Sequence, residues 1–159
     1  MLQAVRWYEQ ATTEQRLTAL GALAMHNHVP SFEWDWEHFA WQYTAFDAAW
    51  RLARLQEVIP QPPRGRDWPH EVRFPKLSKI FRMRRNTRIF RRWVACRNKL
   101  VHQAIWGRVI PGHAPRNWVV QQCLPLRGFT TIALLASIGC RGRFLRARWS
   151  GPARELLEI

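Results

Sequence analysis

The fold is decided by residues 31–56, which read SFEWDWEHFAWQYTAFDAAWRLARLQ. Large aromatic side chains recur in this stretch at spacings of four, three and four residues, the repeat that places side chains on one face of an α-helix. They are Phe39, Tyr43, Phe46 and Trp50. A second apolar row, on another side of the same helix, comprises Trp41, Ala45, Ala48 and Leu52. A helix that is apolar round most of its circumference belongs at the centre of a bundle, and we expect it to run from Ser31 to a stop at Pro60.

Two further segments flank this helix. On the N-terminal side, residues 11–27 predict a helix with Thr12 or Thr13 as its cap. On the C-terminal side, residues 59–75 contain five prolines. Proline lacks the amide hydrogen that helix interiors and central strands require, so this segment is predicted to be a connecting loop.

The C-terminal half continues the helical pattern. A tract from Ser78 to Ile110 predicts either one long helix or two, and Asn86-Thr87 is its weakest point. Shorter helices are predicted at about residues 117–124 and 130–138, followed by a basic tail, with few or no strands. The sequence therefore predicts one all-α domain over residues 1–159, a bundle of four to six helices.

The cysteines and the apolar segments bear on location. Three cysteines without CxxC spacing argue against a disulfide framework and against a zinc knuckle, and they fit a reducing cytosol. The N-terminus lacks the pattern of a signal peptide. The most apolar stretch, residues 130–140, is too short for a bilayer, which needs about 20 residues. We expect a cytoplasmic protein without a membrane span, a metal or another cofactor.

The positive charge is regional. The chain carries a formal net charge of +14, and residues 64–99 hold thirteen bases against two acids. Arginine forks fit phosphate oxygens, and counterion release adds binding free energy, so a nucleic acid is the first partner to consider and an anionic membrane surface the second.

The basic tract also contains aromatic residues. Phe81, Phe90 and Trp93 are interleaved with the bases, a pattern that favours nucleic-acid contact over a merely solvated face. The predicted phosphate-binding residues are Arg82, Arg84, Arg85, Arg88, Arg91, Arg92 and Lys99.

A short polar motif lies in the middle of an apolar helical pattern. Residues 96–107 read CRNKLVHQAIWG, and Arg97 occupies a position where the helix pattern expects an apolar side chain. His102 lies five residues on, about 140° round the helix. The two side chains can share a site only if the arginine bends round the helix or if a second copy of the helix faces the first across a two-fold axis.

These residue types suit cleavage of a phosphodiester in RNA. A histidine titrates near neutral pH and can act as acid or base, and an arginine can stabilise charge on the phosphorane. Asn98 could bond the ribose or orient the histidine. The alternative is that Arg97 is an exposed arginine and His102 a surface histidine, and that neither takes part in a reaction.

The string RNKLVH resembles the R-x4-6-H motif of HEPN domains, and an aromatic-rich helix with an internal acid, FAWQYTAFDAAWRLA, precedes it. The likeness covers about residues 31–110. It implies a small helical bundle that commonly dimerises and, in many members, a metal-independent endoribonuclease of toxin, defence or RNA-processing systems. Arg97, Asn98 and His102 would take the motif positions.

The resemblance also suggests a role for Asp47, as the acid sometimes found near the motif. Asp47 could equally be an ion-pair partner of Arg51, four residues on. Two other functions remain open besides a nuclease: a non-catalytic helical module that binds nucleic acid, and a regulatory subunit that pairs with a nucleotidyltransferase or serves with an antitoxin.

Overall fold

The computed structural model describes residues 2–28, 34–62, 67–83, 86–111, 113–140, 143–147 and 154–158. Helices dominate this part of the chain, which confirms the predicted helical character. The six helices are α1 (Leu2–Gln10), α2 (Thr13–His28), α3 (Asp35–Leu55), α4 (His70–Ile80), α5 (Thr87–Gln103) and α6 (Arg116–Ser137).

Helix α3 lies at the centre, as its aromatic spacing predicts. It packs along α2 and α6 and also touches α5. The first predicted row is fully buried, with no member of it more than 2% exposed. In the second row Ala45 and Leu52 are buried, whereas Trp41 is 40% exposed. The predicted start at Ser31 lies outside the described residues; the helix begins at Asp35, where the Glu37 carboxylate accepts a hydrogen bond from the backbone N–H of Trp34.

The predicted cap of the second helix is also found. The Thr12 side chain accepts a hydrogen bond from the backbone N–H of Gln15 at 3.2 Å, and the Gln15 side chain accepts one from the backbone N–H of Thr12 at 2.8 Å. This reciprocal pair is a capping box. The short helix α1 before it was not predicted.

The prediction of a loop through residue 75 is wrong. Helix α4 begins at His70 and contains Pro75. The reason lies in the packing of its apolar side, since Phe74 and Leu77 are completely buried. The Phe74 ring stacks on that of Phe46 with centroids 3.8 Å apart. Burial of a side chain of this size contributes about 1.5–3 kcal/mol, which offsets the hydrogen bond that proline removes.

The tract from Ser78 to Ile110 is two segments, divided where the sequence is weakest. Ser78 does not start a helix; it is buried inside α4. Helix α5 starts after Asn86, whose side chain accepts a hydrogen bond from the backbone N–H of Ile89. It ends at Gln103, earlier than predicted, because Ala104 takes a left-handed conformation with φ of 51°.

The chain then turns inward at Trp106. This residue is 1% exposed. Its ring lies 4.9 Å from that of Phe39 and 4.7 Å from that of Trp118, between centroids. Its backbone forms a short bridge with Val109. The turn that follows α5 is therefore anchored in the core.

The two helices predicted at residues 117–124 and 130–138 are one. Helix α6 continues through Pro125, and Leu126, Ala133 and Leu134 are buried. By length and composition alone, residues Asn117–Ser137 would be long and apolar enough to cross a membrane, the one such helix in the described residues. The expectation of no membrane span was based on a shorter apolar stretch than α6 provides. In this structure α6 packs along α3.

The basic tail contains a hairpin of two strands that the sequence patterns did not indicate. Strands β1 (Arg143–Ala147) and β2 (Arg154–Glu158) pair antiparallel, with Arg143 opposite Glu158 and Ala147 opposite Arg154.

Candidate active site

Arg97 and His102 are brought together at the C-terminal end of α5. The Arg97 guanidinium nitrogen Nη1 lies 3.4 Å from Nε2 of His102 and donates a hydrogen bond to Oδ1 of Asn98 at 3.1 Å. The long arginine side chain bends round the helix, one of the two geometries that the 140° separation allows. His102 is exposed, and Arg97 and Asn98 are half-buried. The three motif side chains thus form one group at the surface.

Asp47 lies in a second group, which the packing of α4 against α3 creates. Oδ1 of Asp47 accepts a hydrogen bond from Nη1 of Arg73 at 2.7 Å. The same oxygen lies 3.6 Å from Nδ1 of His70. The alternative pairing with Arg51 is wrong, because Arg51 binds Glu14 at 2.8 Å.

His70 is the residue that sequence reasoning missed. Its Nδ1 lies 3.1 Å from the Tyr43 hydroxyl as well as near Asp47. Its side chain is 21% exposed, so the ring is largely covered but still open to solvent. His70 fell within the predicted proline-rich loop. The only local signal was that His70 directly follows Pro69, because proline is common at the start of a helix.

The charge of Arg97, a member of the first group, affects the pKa values of residues in the second group. Burial lowers the pKa of His70, and the Asp47 carboxylate opposes this shift, whereas Arg73 and Arg97 reinforce it. Burial raises the pKa of Asp47, against the effects of Arg73, His70 and Arg97. Burial also raises the pKa of Tyr43, which stays a neutral donor or acceptor. Arg97 therefore acts on His70, Asp47 and Tyr43, and it also contacts His102.

The thiol next to the motif is not a nucleophile. Cys96 is buried, and burial raises its pKa to about 11. A thiol that holds its proton at neutral pH attacks phosphorus or carbonyl carbon poorly. The reactive groups of this site are therefore the imidazoles and the guanidinium.

The basic residues of α5 form a row that leads to His102. Arg88, Arg92, Lys99 and His102 recur at spacings of four, seven and three residues, so they share one face of the helix. Arg88, Arg91 and Lys99 are exposed, and Arg92 is half-buried. Within the described ranges no ion pair is formed by Arg88, Arg91, Arg92 or Lys99. The row is open to an anionic partner.

Other parts of the predicted nucleic-acid surface differ. Phe81, Phe90 and Trp93 do not supply a stacking surface, because they are 9%, 3% and 2% exposed and belong to the core. Arg84 and Arg85 lie outside the described residues. Arg82 is exposed but lies on the rim of a separate pocket of about 740 Å³, which α1 and the ends of α4 and α6 enclose. None of the motif residues lines that pocket.

The described residues contain no group of three His, Cys, Asp or Glu side chains arranged to hold a metal ion. The chain matches no family model, no curated protein and no solved structure with which it was compared.

Proposed function

We propose that this protein is an RNA-directed endoribonuclease of HEPN type that cleaves by transesterification without a metal ion. The observation that carries the proposal is the contact of Arg97 with His102 on an exposed helix end, at 3.4 Å. A cation and an imidazole at this separation can both reach one phosphodiester, the arginine to neutralise the phosphorane and the histidine to move a proton.

The basic row on α5 supports an RNA substrate. Arg88, Arg92 and Lys99 share the face of His102, and a backbone that follows them would deliver a phosphate to the motif. Asn98 accepts a hydrogen bond from Arg97, and we assign its side-chain amide to a ribose hydroxyl.

A homodimer of HEPN-like bundles fits the surface around the motif. Val101, next to His102 in α5, and Val109 and Ile110, in the turn that follows α5, are 59%, 37% and 64% exposed. Exposed apolar side chains near a polar site are typical of a contact between chains. We place the partner copy, or a restraining antitoxin or nucleotidyltransferase, on this surface.

The test is cleavage of total RNA by the purified protein in EDTA. We expect cleavage by the wild-type protein, and a fall of about 10²- to 10⁴-fold in both His102→Ala and Arg97→Ala. RNA binding by the two variants, measured by filter retention, should persist. The control is His113→Ala, an exposed histidine outside the site.

A second function, a non-catalytic module that binds nucleic acid, is favoured by the unpaired basic row. Under that function the wild-type protein binds RNA but leaves it intact. Charge reversal in Arg88→Glu should weaken binding and reduce the salt slope by about 1 under either function. Arg6→Glu, the same charge change at an exposed position of α1, should do neither.

A further inference from the structure

The proposed site holds one histidine in the motif, whereas RNA transesterification is served best by two proton-transfer groups. The 2′-hydroxyl must lose a proton as its oxygen bonds to phosphorus. The 5′-oxygen must gain one as its bond to phosphorus breaks, which leaves a 2′,3′-cyclic phosphate. A single imidazole cannot be protonated and unprotonated in the same step.

His70 has the geometry of the second group. Its Nδ1 faces Tyr43 at 3.1 Å and Asp47 at 3.6 Å. In the tautomer with the proton on Nδ1, this N–H donates to the Tyr43 hydroxyl, the Asp47 carboxylate lies within ion-pair distance, and Nε2 carries the lone pair. Among the described residues Nε2 of His70 has no hydrogen-bond partner. An imidazole held by one nitrogen and open at the other is the arrangement of a general base with an orienting carboxylate.

The surrounding charges suit that role. Burial disfavours a positive charge on the His70 ring, and Arg73 and Arg97 act in the same direction, so the pKa of His70 is lowered and its neutral form is favoured. Asp47 and Glu71 act in the opposite direction and stabilise the imidazolium once it forms. A base must be unprotonated before the reaction and tolerated as a cation after it, and this set of neighbours provides for both.

We propose that His70 is the general base of the reaction, that Asp47 is its positioning residue, and that His102 of the same chain is the general acid. Arg97 binds the phosphate between them. Nε2 of His70 takes the 2′-hydroxyl proton, the new P–O2′ bond forms, the P–O5′ bond breaks, and His102 gives its proton to the 5′-oxygen. This assignment rests on the proposed nuclease function and makes the two histidines of one chain sufficient for one site.

The first experiment compares two substrates. One is a short RNA, and the other is a uridine 3′-phosphate ester of p-nitrophenol, whose leaving group needs no proton. We expect His70→Asn to lose about 10²- to 10⁴-fold on both substrates, and His102→Ala to lose as much on RNA but far less on the activated ester. His113→Asn is the matched control, and circular dichroism reports whether each variant is folded.

The outcomes separate the two proposals. If wild-type protein cleaves neither substrate, the nuclease function fails, and the role of His70 fails with it. If His102→Ala is inactive on RNA while His70→Asn cleaves both substrates like the wild type, the nuclease function stands and the role of His70 is overturned. Rescue of His70→Asn by the activated ester would overturn its assignment as the base.

Two further measurements extend the test, and the first of them applies even if His70→Asn is poorly folded. In Asp47→Asn the loss of the carboxylate removes a group that raises the pKa of His70. The acidic limb of the kcat/KM profile should then move to lower pH, and an unmoved limb would overturn the link between the two residues. Co-refolding inactive His70→Asn with inactive His102→Ala should restore no cleavage; recovery would overturn the claim that both histidines serve from one chain.

Discussion

His26 and His70 both contact the central helix α3, and their surroundings differ in every respect that matters for chemistry. His26 is 8% exposed, and both its ring nitrogens are engaged, Nδ1 with Gln42 at 2.9 Å and Nε2 with Thr131 at 3.1 Å. His70 lies near the surface, with Nδ1 facing Tyr43 and Asp47. The first histidine joins α2, α3 and α6, whereas the second has a ring nitrogen, Nε2, without a hydrogen-bond partner among the described residues. Whether a histidine can take part in chemistry therefore depends on whether the fold leaves one of its ring nitrogens without a partner.

The largest expected effect tests the functional side of this comparison. In Asp47→Asn we expect cleavage of RNA to fall by about 10²-fold or more, because the carboxylate that orients the His70 ring is lost. The matched control is Asp67→Asn. Asp67 also binds Arg73, at 3.1 Å, but within the described part of the chain its charged partners are Arg54 and Arg73 and not a histidine. Equal losses in the two variants would show that the effect passes through Arg73 and not through His70.

For His26, the buried histidine of this comparison, we predict a loss of stability without a loss of cleavage activity. His26→Ala leaves the side-chain amide nitrogen of buried Gln42 without its partner and removes the contact with half-buried Thr131, so we expect the free energy of unfolding to fall by about 1–3 kcal/mol. The rate of cleavage per folded molecule should not change. Urea denaturation and an RNA cleavage assay at low temperature measure the two quantities. If the cleavage rate also falls under conditions where the variant is fully folded, the division between the two histidines is contradicted.

The dependence of stability on pH provides a third test. Burial lowers the pKa of His26, Arg127 lowers it further, and the hydrogen bond from Gln42 opposes them. Below the ordinary value of about 6.5 the unfolded chain therefore binds a proton that the folded chain resists. The stability that neutral His26 provides is present at higher pH and is lost as the pH falls through that range.

This dependence is measured by the urea midpoint at about pH 7.5 and about pH 5. His26→Gln keeps a hydrogen-bonding side chain but cannot take up a proton, so its midpoint should fall less on acidification than that of the wild type. His113→Gln, at an exposed position, should behave as the wild type does. An identical fall in all three proteins would assign the acid sensitivity to groups other than His26.

The smallest expected effect concerns Tyr43. Tyr43→Phe removes the hydroxyl that lies 3.1 Å from Nδ1 of His70 but keeps the buried ring. A hydrogen bond of this kind contributes about 0.5–1.5 kcal/mol, so the cleavage rate should fall by about tenfold or less. A loss as large as that of Asp47→Asn would show that the hydroxyl, and not the carboxylate, orients the ring.

The sequence predicted those parts of the fold in which local spacing and burial agree. The row Phe39, Tyr43, Phe46 and Trp50 has an uninterrupted helical repeat, and the structure buries all of it. A break at Asn86-Thr87 was predicted as one of two possibilities, because the tract is long for one helix and these two residues are poor helix formers. In both cases the deciding information lies within a few residues.

The missed parts depend on contacts between distant segments. Proline at 75 indicates a loop locally, but the stacking of Phe74 on Phe46, 28 positions earlier in the chain, keeps the helix intact. His70 could not be recognised as a neighbour of Asp47 until α4 was placed against α3. Arg97 and His102 pointed apart on an ideal helix, and only the bend of the arginine side chain brings them to 3.4 Å.

The tryptophans on either side of the motif have a consequence for how the site is organised. Trp93 enters the core one turn before Arg97, and Trp106 enters it one turn after His102, beyond the left-handed residue Ala104. The intervening segment is thus anchored in the core at both ends. Its backbone has little freedom to fray, so under the proposed function most of the ordering that a reactive geometry requires is completed when the chain folds, before an RNA binds.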